Sequence, residues 1–82
     1  MAIKNNVTWK ELGDKVVAVN VESGEYYTMN ATASSVWKLL AEGKPADEIT
    51  AAICGEYEAD PATVGADIDR QIAEWKENGL ID

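Results

Sequence analysis

The chain has 82 residues, 46% of them hydrophobic, and a net charge of −8 from 15 acidic against 7 basic residues. That length makes one domain, 1–82, near the lower end of what folds without staples and with material for a single compact core. The charge repels phosphate backbones and argues against nonspecific nucleic-acid binding. A single cysteine, Cys54, excludes an internal disulfide and a cysteine zinc cage, and no histidine exists to serve as metal ligand or general base.

No apolar run approaches the roughly 18 residues of a membrane span, and the opening M-A-I-K-N-N does not read as a signal peptide. The expectation is a soluble cytoplasmic protein without membrane contact, metal or cofactor. The acids serve solubility first, and they also favour a basic partner or peptide.

Val7-Thr8-Trp9-Lys10-Glu11 alternates and reads as a first strand, with Val7 and Trp9 on one face. After Gly13-Asp14, Lys15 to Val21 sets Val17, Val19 and Val21 against Val16, Ala18 and Asn20, the pattern of a central strand. Ser23-Gly24 is a tight turn, because glycine takes positive φ without a Cβ clash. Tyr26 to Met29 follows as a third strand, with Tyr27 and Met29 on one face and Tyr26 and Thr28 on the other. The three make an antiparallel meander whose outer strands leave unpaired backbone groups.

The period then changes from two to 3.6. Asn30 and Thr32 offer oxygens to a helix start, and Ala33, Val36, Trp37 and Leu40 form its apolar stripe, with Ser34, Ser35, Lys38 and Glu42 opposite. Gly43 ends this helix, and Pro45 suits the first turn of the next, where Ile49, Ile53 and Tyr57 recur at i, i+4, i+8. Asp60-Pro61 opens a third helix with Val64, Ile68, Ile72 and Trp75 as its stripe; Gly79 closes it, and Leu80-Ile81 fold back as an apolar tail. Trp9 and Trp37 read as core anchors. The fold class is therefore α+β: a three-stranded antiparallel β-meander followed by three helices packed on its inner face.

Taken in order, V-x-W, V-V-A-V-N-V, S-G-E-Y-Y-T-M-N-A-T-A-S-S-V-W-K-L-L, E-I-x3-I and D-I-x6-W-x3-G-L-I resemble the PqqD-like family over residues 7 to 81. These are small proteins or domains, also called RiPP precursor recognition elements. The resemblance implies a winged helix-turn-helix-like fold without catalytic activity. It implies binding of the leader segment of a ribosomally made precursor peptide, presented to a modifying enzyme such as a radical S-adenosylmethionine protein or a lasso-peptide protease or cyclase. In the family the leader adds as a strand to the third strand and lies against the third helix. Here that maps onto Glu25, Tyr26, Tyr27, Thr28, Met29 and Asn30, and onto Val64, Asp67, Ile68, Gln71, Ile72 and Trp75. Pro45 stands where a threonine cap is common, and Met29 where leucine is usual, a volume-conserving change.

The physical basis of such a site is β-augmentation: main-chain bonds tolerate many sequences, and pockets for alternate side chains select among them. Asp67, Gln71 and Asn78 fall on one border of the third helix's stripe, Gly65 and Asp69 on the other. The wheel leaves open which border faces the strand; the D-I match to the family favours Asp67, Ile68 and Gln71. A carboxylate there suits a lysine or arginine of the leader. An exposed edge also allows pairing with a second copy, so monomer and edge-paired dimer both stay open. A winged-helix DNA-binding or regulatory domain is the alternative. It is disfavoured because the third helix sets only Arg70 and Lys76 against Asp67, Asp69, Glu74 and Glu77. A small enzyme is disfavoured by the lack of any nucleophile–base pair.

Overall fold

The β-branched alternation of K-V-V-A-V-N places Lys15–Asn20 in the middle of the sheet. The computed structural model describes residues 2–82 and runs β1 (Val7–Leu12), β2 (Lys15–Asn20), β3 (Tyr26–Thr28), α1 (Ala31–Ala41), α2 (Ala46–Tyr57) and α3 (Pro61–Glu77). Sheet order is β1-β2-β3, antiparallel throughout, so the expected meander followed by three helices is the observed architecture. Trp9 and Tyr27 flank Ala18 across the sheet, which puts all three on one face. That face carries the buried Val16 and Ala18 and receives the helices, while Val17 and Val19 point the other way and stay half-buried.

The core is built on tryptophan. Trp37 of α1 is fully buried and meets Trp75 of α3 edge-to-face, with ring centroids 5.1 Å apart and an interplanar angle of 88°. Trp9 meets it from the other side at 6.3 Å. Trp9 is expected as a second core anchor, but the residue is 37% exposed, because β1 is an edge strand and the ring packs on Trp37 from the rim. Beside it, Lys38 Nζ donates to Glu11 Oε2 at 2.8 Å and ties α1 to β1, and this bond holds the ammonium above its ordinary pKa.

Two helices end in the same way. Gly43 and Gly79 take φ of +86° and +76°, and their amides, with those of Lys44 and Leu80, bond back to the last turns of α1 and α3. This 6→1 and 5→2 pattern satisfies carbonyls that would otherwise be orphaned. It also aims Leu80 and Ile81 into the core, where Ile81 forms an antiparallel bridge with Ile3. The apolar tail is thus paired as well as buried. At the start of α3, Asp60 caps Thr63 N at 3.3 Å and Thr63 Oγ1 at 3.1 Å. Asp60→Ala is expected to cost about 1 kcal/mol, read as a lower thermal midpoint by circular dichroism.

Three expectations change. Pro45 is the cap residue of α2 rather than a first-turn residue, with φ −74°, ψ 164° and no side-chain bond to give. Tyr57 is 44% exposed rather than core, since it sits in the last turn of α2, where Glu58 turns left-handed at φ +51° and ends the helix. Ser34 was placed on the outer side of α1, yet it is 1% exposed. Its hydroxyl accepts from Val16 N at 2.8 Å and donates to Met29 O at 3.3 Å, so it replaces a direct ladder bond where β3 leaves β2.

Candidate functional site: an open strand edge beside the last helix

The turn before β3 is held by short polar side chains. Asn20 Oδ1 accepts from the amides of Glu22 and Ser23 at 3.0 and 3.3 Å, and Ser23 Oγ accepts from Glu25 N at 3.2 Å. Gly24 supplies the positive φ of +78° the turn requires. The ladder then begins with Asn20 N donating to Glu25 O at 2.9 Å, and it ends with Met29 N donating to Val16 O at 2.9 Å.

Antiparallel pairs alternate between bonded and non-bonded. Tyr27 faces Ala18 as a bonded pair, so Tyr26 opposite Val19 and Thr28 opposite Val17 turn their amides and carbonyls away from β2. No strand lies beyond β3, and these four groups point to an open edge among the described residues. Such a row is a template for another backbone.

The opposite wall comes from α3. Val64, Ile68, Ile72 and Trp75 are buried, which turns the neighbouring row Gln71, Glu74 and Asn78 toward β3. The other border faces α2: a Cβ on Gly65 would lie 3.8 Å from Thr50 Cγ2. Between strand and helix runs a cleft of about 370 Å³, lined by Tyr26 to Asn30, Ala33, Gln71, Glu74, Trp75 and Asn78. It continues past Asn30, Ala33 and Gln71 into a second hollow of about 320 Å³. There the walls are apolar, from Val36 of α1, Ile53 and Tyr57 of α2, and Val64 and Ile68 of α3, with Thr32 and Asp67 at the rim. Extended backbone therefore fits the first cleft and an apolar side chain the second.

The electrostatics are anionic and mild. Asp67 accepts from Arg70 Nη2 at 2.8 Å, an exposed i,i+3 pair of the kind that contributes little to stability and is easily exchanged. Loss of hydration and the Glu25 carboxylate hold the Tyr27 phenol above its ordinary pKa, so it remains a neutral donor.

Of the residues singled out from sequence, Tyr26, Tyr27, Thr28, Met29, Asn30, Gln71 and Trp75 meet along the strand-edge cleft. Val64, Asp67 and Ile68 line the second hollow instead, with Asn30 and Gln71 shared by both. Glu25 and Ile72 line neither: Glu25 spends its carbonyl on Asn20, and Ile72 is 7% exposed in the core. Glu74 was not singled out, although it follows Gln71 at the i+3 spacing that continues the same row. Ile53 and Tyr57 had no signal as site residues, because only the packing of α2 against α3 brings them there.

The profile described as coenzyme PQQ synthesis protein D (PqqD) matches residues 15–81. No curated protein matches the chain. Among solved structures, TbiB1 in complex with the TbiA(β) leader peptide is 34% identical, with a TM-score of 0.97 over 100% of this chain and 95% of that one. A lasso peptide synthetase B1 complexed with the leader peptide has the same fold at 24% identity, with a TM-score of 0.88 over 95% of this chain and 92% of that one. With the profile covering most of its length, the chain belongs to the PqqD family.

Proposed function

We propose that this chain is a non-catalytic adaptor. It binds the leader segment of a ribosomally synthesised precursor peptide by β-strand addition and presents it to a modifying enzyme. The observation that carries the reading is the open edge at Tyr26 and Thr28 set against the Gln71–Trp75 side of α3. A 34% identical neighbour that holds a leader peptide supports it. The enzyme is of the class that acts on such precursors, a radical S-adenosylmethionine protein or a lasso-peptide protease or cyclase.

In this role the chain works by position. Outward main-chain groups of Tyr26 and Thr28 take the peptide backbone, and Met29, Trp75 and the hollow at Val64 and Ile68 take its apolar side chains. Glu25, Asn30, Asp67, Gln71 and Ile72 complete the site as rim or support. Holding the leader raises the effective concentration of the attached core peptide at the enzyme, to the millimolar range for a short flexible connection. Arg70 and Lys76 against Asp67, Asp69, Glu74 and Glu77 leave α3 poor in cations for reading DNA.

The test is titration of the precursor leader into labelled protein. Chemical shifts are expected to change within residues 25–30 and 61–75, with a change in the emission of Trp75. Shifts confined to α1 or to the loop at Gly13 would reject the site.

A further inference from the structure

The sheet has a second face. Its register sets Thr8, Lys10 and Leu12 of β1, Lys15, Val17 and Val19 of β2, and Tyr26 and Thr28 of β3 on the side away from the helices. Leu12 is 54% exposed and Tyr26 72%, and Val21, just past β2, is 62% exposed. On a chain of net charge −8 the strand positions of this face hold two lysines and no carboxylate, with Asp14 and Glu22 in the flanking turns, and neither lysine is in an ion pair among the described residues. Ten of the 15 acids lie in the helical half of the chain, from Glu42 to Glu77. An apolar strip with a cationic rim, on an otherwise anionic molecule, is the composition of a docking surface rather than of a solvated one.

We infer that this outer sheet face docks the peptide-modifying enzyme, through an apolar surface of that enzyme bordered by carboxylates. The inference rests on the adaptor reading above. A leader strand added beside β3 continues the sheet, and its alternate side chains project onto this same face. An enzyme seated there touches adaptor and leader together, and so prefers the loaded adaptor to the empty one. A second copy would bring two more lysines and no carboxylate at these strand positions, so it offers no charge complement and is disfavoured as the occupant.

The experiment measures two affinities for each variant: for a precursor leader peptide that the wild-type chain binds, by tryptophan emission, and for a modifying enzyme that acts on that precursor, by calorimetry with leader present. Lys10→Glu combined with Lys15→Glu, and separately Leu12→Glu, are expected to weaken enzyme binding by about tenfold or more while leader affinity stays within about twofold. Glu48→Lys combined with Glu56→Lys, on α2, is expected to leave both unchanged. Enzyme affinity that survives the outer-face changes, or that falls only with the α2 changes, overturns the inference. So does an enzyme that fails to bind the loaded wild-type chain. Self-association or binding to anionic vesicles, lost through the same lysine changes while enzyme binding persists, overturns it in favour of those occupants. Failure of the leader titration alone would instead reject the adaptor reading.

Discussion

Replacing Thr28 by proline is expected to weaken leader binding by about 10- to 100-fold while the domain keeps its fold. Proline removes one amide hydrogen, and at Thr28 that hydrogen points to the open edge rather than into the ladder. The protein's own bonds on either side, from Met29 N to Val16 O and between Tyr27 and Ala18, are untouched. Edge positions whose amide faces solvent are the ones in a sheet that tolerate proline. An added peptide would lose a donor for one of its carbonyls and meet the pyrrolidine ring at the place where its backbone should lie. Tyr27→Pro is the contrasting variant: it deletes a ladder donor and should destabilise the domain itself. Calorimetric titration with the leader, alongside circular dichroism, separates the two. Unchanged affinity in a folded Thr28→Pro protein would mean that the peptide does not join this edge.

Ser34→Ala is expected to cost about 2–4 kcal/mol of stability, the largest effect for so small a change in volume. Among the described residues the hydroxyl links Val16 N and Met29 O at a buried point of the sheet. Alanine removes the hydroxyl that bridges that amide and carbonyl, in a site 1% exposed. Against a total of about 5–15 kcal/mol for a domain this fraction is large, and the thermal midpoint should fall by roughly 10–25 °C. A fall of less than about 3 °C would show that the bridge is dispensable. Because Met29 anchors the end of β3, the same change should also loosen the strand proposed to receive the leader.

Why Ser34 was misplaced shows where the sequence stops being readable. It lies three residues before Trp37, spacing that puts it on the buried stripe of α1, but its polarity assigned it to the solvent side. Nothing local reveals that a strand carbonyl and a strand amide wait for it. The alternation of Val16 to Asn20, the Asp60-Pro61 start of α3 and the glycines at 43 and 79 carried their own signals, each a matter of neighbours in sequence. So did the strand edge, since a third strand at the end of a meander has a free side by construction.

The border of α3 that faces β3 depended on how α2 packs, and the wheel alone left it undecided. The apolar hollow was less legible still. Its wall joins Val36, Ile53 and Ile68 from three helices, each individually indistinguishable from ordinary core. Tyr57 continues the spacing of Ile49 and Ile53, yet the helix ends around it and turns it from core residue to wall. Long-range packing decides such cases, and a periodicity cannot contain it.

The brevity of β3 sets a limit on what its edge can select. Two residues, Tyr26 and Thr28, present two donors and two acceptors to an incoming chain. A peptide displaced by two positions would satisfy the same four groups, since the repeat of an extended chain is two residues. Backbone bonding therefore cannot tell one frame from the next. In the proposed binding mode the choice of frame falls to the side chain that would fill the hollow between the helices, a stop against which the peptide would be measured.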